Sequence, residues 1–261
     1  MTFADAKQRF SSRVADYVRY RPGYPQALVD LLGRECGLER GHVIADIGSG
    51  TGLLSKLFLE NGNRVIGVEP NADMRAAGRE FLAGHSNFST VDGSSEATTL
   101  PGSSVDFITA AQAFHWFEPE ATRREFERIL KPGGAVVVLW NDRRIDETAF
   151  GRAYEDLLLR YGTDYTRVRE AYPEAAQMKR FFGAGNFGRS ELPNHQEFDF
   201  DGLAGRLRSS SYAPKEGDAN YEPMTAALRS LFEANQKFGR VRMEYTTQIY
   251  FGWLDAARTP E

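Results

Sequence analysis

The stretch that decides the fold is His-Val-Ile-Ala-Asp-Ile-Gly-Ser-Gly-Thr-Gly, residues 42–52. Its apolar first half, Val43–Ile47, is typical of a short strand buried on both faces. Three glycines follow at every second position, and apolar residues then recur at helical spacing from Leu53 as far as Asn61-Gly62. Strand, glycine turn and helix together predict the opening half of a nucleotide-binding α/β unit. Glycines in such a turn let a ligand lie against the backbone.

An acidic residue ends the next predicted strand. That strand, 64–68, runs into Glu69, about 20 residues after the turn, where such folds place an acid on a ribose diol. A carboxylate there accepts hydrogen bonds from two hydroxyl groups and would repel a 2′-phosphate. The sequence therefore predicts a ligand with a free ribose.

Two details of the turn favour S-adenosylmethionine over a dinucleotide. The dinucleotide pattern G-x-G-x-x-G fails, because Leu53 stands where its third glycine belongs. Asp46, two residues before the first glycine, would repel a pyrophosphate but suits a cation. An ion pair at about 4 Å is worth on the order of 4 kcal/mol at an effective dielectric of 20. S-adenosylmethionine carries a ribose, an ammonium and a sulfonium and no phosphate, so a nicotinamide oxidoreductase is the less favoured interpretation.

Several motifs resemble one enzyme family. Asp-Ile-Gly-Ser-Gly-Thr-Gly from Asp46, with Glu69-Pro70, resembles the first two motifs of the class I S-adenosylmethionine-dependent methyltransferases. Arg-Pro-Gly-Tyr-Pro from Arg21 and Ala-Gln-Ala-Phe-His-Trp-Phe from Ala111 resemble segments of the trans-aconitate methyltransferase-like branch. The resemblance implies an α/β fold with a Rossmann-like, doubly wound, seven-stranded sheet whose last strand is antiparallel. An N-terminal helical cap and a helical insert are expected to cover the site.

The resemblance covers nearly the whole chain and implies one methyltransferase domain, 1–261. Its expected parts are an N-terminal cap (1–25), a cofactor-binding half (42–141), an insert or lid (142–193) and a C-terminal completion of the sheet (194–261). Periodicity predicts helices over 3–20 and 146–162, an irregular aromatic stretch from there through Phe187, and a strand from His195 to Phe200. Lys131-Pro-Gly-Gly134 is expected to be a tight turn.

The resemblance also implies the site residues. Those expected at S-adenosylmethionine, and at its product S-adenosylhomocysteine, are Asp46, Gly48, Ser49, Gly50, Gly52, Glu69, Pro70, Met74, Ser94, Ser95, Glu96, Ala111 and Gln112. Ser94 stands where the family commonly has an aspartate that contacts adenine, and Asp92 is the alternative for that contact. Those expected at the methyl acceptor are Tyr17, Arg21, Tyr24, His115 and Trp116.

Composition limits the other classes of function. The net charge of −4 gives no reason to expect nucleic acid as a partner. No apolar run is long enough for a membrane span, and the first residues lack a signal-peptide core. Cys36 is alone and the four histidines are far apart, so neither disulfides nor a metal are predicted. A cytoplasmic monomer or homodimer acting on a small molecule fits these features.

Three functions stay open from sequence. The first is O-methylation of a small carboxylate, with Arg21 as the anchor for the anion. The second is methylation of a hydroxyl or nitrogen acceptor, with His115 as the general base. The third, from another class, is a catalytically silent protein that binds adenosyl ligands.

Overall fold

A seven-stranded mixed sheet forms the centre of the structure, a computed structural model that describes residues 14–170, 175–183 and 186–254. The strands are β1 (Val43–Ile47), β2 (Arg64–Val68), β3 (Phe88–Val91), β4 (Val105–Ala111), β5 (Leu130–Arg143), β6 (Phe187–Phe198) and β7 (Val241–Gly252). Their order is β3-β2-β1-β4-β5-β7-β6. Strands β1 to β5 are parallel, whereas β7 runs antiparallel between β5 and β6. The predicted fold, including the antiparallel last strand, is confirmed.

Helices flank the sheet. The described ones are α1 (Val14–Tyr20), α2 (Ala27–Cys36), α3 (Leu53–Asn61), α4 (Ala72–Phe81), α5 (Pro119–Ile129), α6 (Ala149–Tyr161), α7 (Tyr165–Glu170), α8 (Ala175–Phe182), α9 (Phe200–Arg208) and α10 (Tyr221–Asn235). Polar side chains begin several of them: Asn71 accepts hydrogen bonds from two N–H groups of α4, and Thr148 accepts one from α6. The first part of the predicted N-terminal helix, 3–13, lies outside the described residues.

The central strands β1 and β4 and the second half of β5 are buried on both faces, which explains their mostly apolar sequences. Side chains of β1 alternate between two core clusters: Ile44 belongs to one, and Ala45 and Ile47 to the other. A third cluster packs α6, α9 and α10 against the first half of β7, including Met243 and Tyr245. Core clusters therefore cover both faces of the central strands, whereas β3 and β6 at the two edges are less buried.

The region between β5 and β7 differs from its prediction. The stretch expected to be irregular contains α7 and α8, and Phe181 and Phe182 of α8 are buried in the core. The strand expected from His195 begins at Phe187 and ends at Phe198. The prediction missed its first half because β6 is an edge strand with one solvent-exposed face. Such a strand accepts polar residues and Pro193, which lacks an N–H group.

The turn predicted at 131–134 is an irregularity inside β5. Val105 pairs with Leu130 and Phe107 pairs with Ala135, so four residues of β5 loop out opposite Asp106. Lys131 Nζ lies 2.9 Å from a carboxylate oxygen of Asp106, which fixes the loop. The backbone turns here as predicted, but the strand continues through it.

Hydrogen bonds fix the end of α1 and the segment after it to strands β5 and β6. The carbonyl oxygen of Tyr20 accepts a bond from Gln196 Nε2 at 3.1 Å. The carbonyl oxygen of Gly23 accepts bonds from Asn141 Nδ2 at 3.1 Å and from Asn194 Nδ2 at 2.9 Å. The ring of Tyr20 packs so closely on Gly205 that a Cβ there would lie 2.1 Å from it. These contacts hold the N-terminal segment over the carboxyl ends of the strands.

A substitution at Gly52 tests whether close packing of the glycine turn on Leu82 stabilises the fold. Gly52 has φ 82°, and a Cβ would lie 2.5 Å from Leu82 Cδ1. Gly52→Ala is expected to lower the free energy of unfolding by about 1–3 kcal/mol, because it adds backbone strain and a clash. Urea denaturation measures this loss.

The control for this experiment is Gly41→Ala. The backbone of Gly41 is not left-handed, and a Cβ there would meet nothing within 4 Å, so this variant should unfold like the wild type. Equal stability of the two variants would contradict the packing role given to Gly52.

Candidate active site

A cleft with about 930 Å³ of empty space, part of it open to solvent, lies at the carboxyl ends of β1, β4 and β5. This is the edge at which doubly wound folds bind their ligands. The cleft is lined by Tyr17, Arg21, Pro22, Tyr24, Asp46, Gly48, Ser49, Thr51, Leu53, Leu54, Ala111, Gln112, Asn141, Asp142, Arg143, Ile145, Tyr165, Arg206 and Tyr212. The structure thus brings together eight of the residues predicted for the site, three for the acceptor and five for the cofactor.

The three glycines of the turn have left-handed backbone conformations, with φ of 67°, 54° and 82° at Gly48, Gly50 and Gly52. A Cβ on Gly48 would lie 2.7 Å from Cβ of Ala113, so this glycine, like Gly52, is required by packing within the protein. Only at Gly50, among these three, would a Cβ meet nothing within 4 Å. Gly50 and Gly52 are not among the described residues that line the cleft, so the role of Gly50 in making room for a ligand stays a prediction.

Asp46 is a buried carboxylate at the carboxyl end of β1. It accepts hydrogen bonds from Ser55 Oγ at 2.6 Å and from Thr109 Oγ1 at 3.0 Å. Burial raises its pKa to about 6, despite the opposing effect of these two hydroxyl groups, and the nearby charge of Glu69 also raises it. A carboxylate so poorly solvated gains more than an exposed one from a cation in the cleft.

Glu69 lies beside the glycine turn, outside the lining of the cleft. One carboxylate oxygen accepts the N–H of Gly50 at 3.0 Å, and the other accepts the N–H of Asn71 at 2.8 Å. Pro70 and Met74 follow Glu69, and Met74 is buried.

The residues predicted to border adenine form a local network after β3. Ser95 Oγ donates to Glu96 at 2.8 Å, and the same oxygen of Glu96 accepts the N–H of Glu118 at 3.1 Å. Partial burial raises the pKa of Glu96, but these donors and the hydroxyl of Ser94 lower it below its usual value. None of the three is among the described residues that line the cleft. Asp92 is exposed and pairs with Arg75 at 3.0 Å.

Gln112 follows β4 in an unusual conformation. Its φ is 54°, a left-handed value that non-glycine residues rarely adopt. Its N–H donates to the carbonyl of Leu139 at 3.0 Å, and its side-chain Nε2 donates to the carbonyl of Asn141 at 3.2 Å. Strained residues of this kind concentrate at functional sites. Together with Ala111, Gln112 forms part of the cleft wall.

His115 and Trp116 lie in a single 3₁₀ turn, Phe114–Trp116, and do not appear in the cleft lining. Their ring centroids are 4.8 Å apart. Neighbouring Phe114 packs edge to face on Phe181 of α8, with centroids 4.8 Å apart. Burial disfavours the charged imidazole and lowers the pKa of His115 to about 4. Both side chains are half-buried, Trp116 against the core cluster that contains Phe114, and neither is among the described residues that line the cleft.

Arg21 projects into the cleft beside Tyr17, with its guanidinium carbon 4.9 Å from the centre of that ring. Its Nη2 donates to the carbonyl of Ser209 at 2.8 Å, and its Nε is buried without a hydrogen-bond partner. No carboxylate of the described residues forms an ion pair with it. The cleft thus contains a guanidinium group with spare capacity for an anion.

Sequence reasoning missed one side of the cleft. Arg143 pairs with Glu155 at 2.8 Å and donates to Tyr165 Oη at 2.5 Å. Arg206, on α9, is buried and donates to Ser210 Oγ at 2.9 Å. Burial raises the pKa of Tyr212, but the charges of Arg143, Arg206 and Arg21 lower it below its usual value.

Two features of the sequence could have identified some of these residues as part of the cleft. Asn141 to Arg143 end a strand, which is where such folds place ligand contacts. Arg206 is a charged residue between Leu203 and Leu207 on the apolar face of α9. Nothing local in the sequence places Tyr165 or Tyr212 here.

Within the described residues, no three potential metal-binding side chains form a group, and no helix is both long and apolar enough to cross a membrane.

Comparison with known proteins identifies the family. The family model described as "Methyltransferase domain" matches residues 45–138. An uncharacterised methyltransferase from Mycobacterium tuberculosis is 33% identical over 174 residues, which are 65% of this chain and 66% of that protein. One from Geobacillus kaustophilus is 34% identical, over 58% of this chain and 71% of its own length.

Among solved structures, a candidate type II methyltransferase from Anaeromyxobacter dehalogenans shares the fold. Its TM-score is 0.62 at 23% identity, over 90% of this chain and 98% of that one. The sheet order and the sequence relatives lead to one conclusion: the chain belongs to the class I S-adenosylmethionine-dependent methyltransferases.

Proposed function

We propose that this protein transfers the methyl group of S-adenosylmethionine to an oxygen of a small carboxylate held by Arg21. The observation that carries the proposal is the guanidinium group of Arg21, which lies in the cleft with a buried Nε that has no hydrogen-bond partner. A planar guanidinium binds a carboxylate through two parallel hydrogen bonds. Tyr17 and Tyr24 beside it would enclose an acceptor of small size.

The residues on the β1 side of the cleft fit the cofactor. Asp46 offers a poorly solvated negative charge to the ammonium and sulfonium groups, and Glu69 offers acceptors to the ribose. Gly50 leaves open space beside the backbone. Ser49, Ala111 and Gln112 would border the methionine end. Ser94, Ser95 and Glu96 remain our candidates for the adenine, and Pro70 and Met74 follow the ribose carboxylate.

The proposed reaction requires positioning rather than acid–base chemistry. The cofactor, when bound, would supply a methyl group attached to its sulfonium sulfur. The rest of the cofactor would then be the leaving group, a neutral thioether. Arg21 orients the carboxylate so that one of its oxygens faces the methyl carbon; the new C–O bond forms as the S–C bond breaks, and no proton moves. Alignment of two reactants in this way supplies about 7–11 kcal/mol. A carboxylate is ionised at neutral pH, so no general base is needed.

The alternative, a hydroxyl or nitrogen acceptor deprotonated by His115, has less support. His115 is not part of the cleft lining, and its pKa of about 4 makes it a weak base. The silent adenosyl-binding protein is the remaining alternative. Any methyl transfer by the purified protein, to any acceptor, would exclude it.

The first prediction concerns Asp46 and pH. Its pKa is higher in the folded protein than the usual 3.8, so protonation of Asp46 stabilises the folded state relative to the unfolded state. The stabilisation is present below about pH 4 and is lost as pH rises through about 6. At pH 7 the ionised carboxylate costs about 3 kcal/mol. Asp46→Asn should therefore raise the free energy of unfolding at pH 7 and much less at pH 4, as measured by urea denaturation.

The same substitution should weaken binding of S-adenosylhomocysteine, because the ammonium group loses its counter-ion. Wild-type affinity should fall below pH 6 as Asp46 is protonated, whereas the Asp46→Asn variant should show no such fall. Calorimetry between pH 5 and 8 measures both. A wild-type affinity that does not change over this range would contradict the role of Asp46.

The second prediction concerns Glu69 and the ribose. Glu69→Gln keeps the shape of the side chain and one acceptor but removes the charge. It should weaken S-adenosylhomocysteine binding by roughly 1.5–3 kcal/mol, the scale for hydrogen bonds to charged groups. Glu80→Gln, which changes an exposed carboxylate in the last turn of α4, is the control and should bind normally. Asp92→Asn is measured as well. If it were the only variant to lose affinity, the ligand contact would have to be assigned to Asp92 instead of Glu69.

The third prediction separates the two acceptor hypotheses. Carboxylate methylation predicts that Arg21→Ala loses most activity while His115→Gln keeps it. A base role for His115 predicts a loss of about 10²–10⁴-fold in His115→Gln. Because its pKa is about 4, a pH profile between 6 and 9 would be flat for both hypotheses, so the variants are decisive. Arg19→Ala, an exposed arginine of the same segment, is the control.

A further inference from the structure

A second arginine of the cleft resembles Arg21 in its surroundings. Arg206 is only 5% exposed, yet no carboxylate of the described residues pairs with it. Its hydrogen bonds go to neutral groups: Nε to Tyr245 Oη at 3.3 Å and Nη1 to Ser210 Oγ at 2.9 Å. A guanidinium group cannot discharge itself by losing its proton, and burial without a counter-ion is costly. Such an arrangement is expected where an anion binds.

Arg21 and Arg206 are attached to the same turn. Arg21 Nη2 donates to the carbonyl of Ser209, and Arg206 Nη1 donates to the side chain of the next residue, Ser210. Both serines are fully buried. Burial raises the pKa of Tyr212, but the charges of Arg143, Arg206 and Arg21 lower it, which is consistent with both guanidinium groups lying near this side chain. The two guanidinium groups therefore approach one region of the cleft, from α9 and from the N-terminal segment.

The other charges of the cleft do not neutralise this pair. Arg143 has its own partner in Glu155, with which it forms a buried ion pair at 2.8 Å. Asp46 accepts the hydroxyl groups of Ser55 and Thr109 at the β1 end of the cleft. Asp142, near the end of β5, also lines the cleft, but its side chain is exposed, so water and salt screen its charge. The region around Arg21 and Arg206 thus has an excess of positive charge.

We propose that Arg206 is a specificity-determining residue that forms, together with Arg21, a two-arginine subsite for a single anionic group of the methyl acceptor. The proposal deepens the proposed function and rests on it for the acceptor. Two guanidinium groups that hold one carboxylate select an anion over its neutral isostere. Both must be present for tight binding, since each supplies part of the hydrogen bonding and charge.

The test is a double-mutant cycle on binding, with the full chain saturated with S-adenosylhomocysteine. The probes are acetate, phenylacetate and benzoate, each compared with its neutral amide by calorimetry or ligand-observed NMR. At least one carboxylate should bind tenfold or more tightly than its amide. Arg206→Gln and Arg21→Gln should each lose most of that preference. The double variant should be little weaker than either single variant, because the two residues act on one group.

Several results would overturn the proposal. These are the absence of any carboxylate preference in the wild type, an unchanged preference in Arg206→Gln, or losses that multiply in the double variant, which would mean two separate sites. Arg206→Lys, which keeps the charge, should restore part of the preference and guards against a folding defect in Arg206→Gln. Arg242→Gln changes an exposed arginine outside the cleft and should behave like the wild type.

The affinity for the cofactor product distinguishes a failure of this inference from a failure of the proposed function. The affinity for S-adenosylhomocysteine should be the same in the Arg206 variants and in the wild type. Failure of cofactor binding in the wild type would count against the proposed function itself. Normal cofactor binding without a role for Arg206 in anion binding would count against this inference alone.

Discussion

The buried carboxylate of Asp46 is the group on which the site depends. Its two hydroxyl donors come from different elements, Ser55 from α3 and Thr109 from β4, so one side chain joins the central strand to its helix and to its neighbour. The same arrangement removes the carboxylate from water and raises its pKa to about 6. Stability alone would favour a neutral residue here. A negative charge maintained at this cost, at the ligand-binding edge of the sheet, is explained by a cationic ligand.

The opposite side of the cleft has the opposite charge and is assembled from distant parts of the chain. Asn141, at the end of β5, donates to Gly23 of the N-terminal segment and accepts bonds from Asn194 of β6 and Thr247 of β7. This buried amide connects three strands with the segment that carries Arg21. Arg206 arrives on α9, which packs against α1 through Tyr20 and Gly205. In the proposed function, Asp46 supplies negative charge to the cofactor and Arg21 and Arg206 supply positive charge to the acceptor, from different sides of one cleft.

The sequence predicts the first half of the fold well, because its signals there are local. A buried parallel strand, a glycine turn and a helix each depend on residues close in the chain, and β1, α3 and β2 begin and end at their predicted residues. The prediction for the edge strand β6 is eight residues too short at its start, because an exposed edge permits polar residues and Pro193.

The sequence likewise predicts some residues of the candidate site and misses others. Motif positions identify Asp46, the glycines and Arg21. The contribution of α7, α9 and the loop after it depends on how the last third of the chain folds back, which no local pattern encodes. Sequence reasoning misses Arg206 and Tyr212 for this reason. His115 is a different case: its strand-end motif predicts a role beside the acceptor, and the structure places it, half-buried, outside the described residues that line the cleft.

The central claim is methyl transfer to a carboxylate oxygen, and the fate of an isotopic label tests it most directly. The purified protein would be incubated with S-adenosylmethionine labelled in its methyl group and a cell extract rich in small acids. The account predicts a labelled small molecule from which mild alkali releases the label as methanol, as it does from a methyl ester. Label that stays attached through alkali treatment, in an ether or on nitrogen, would contradict it.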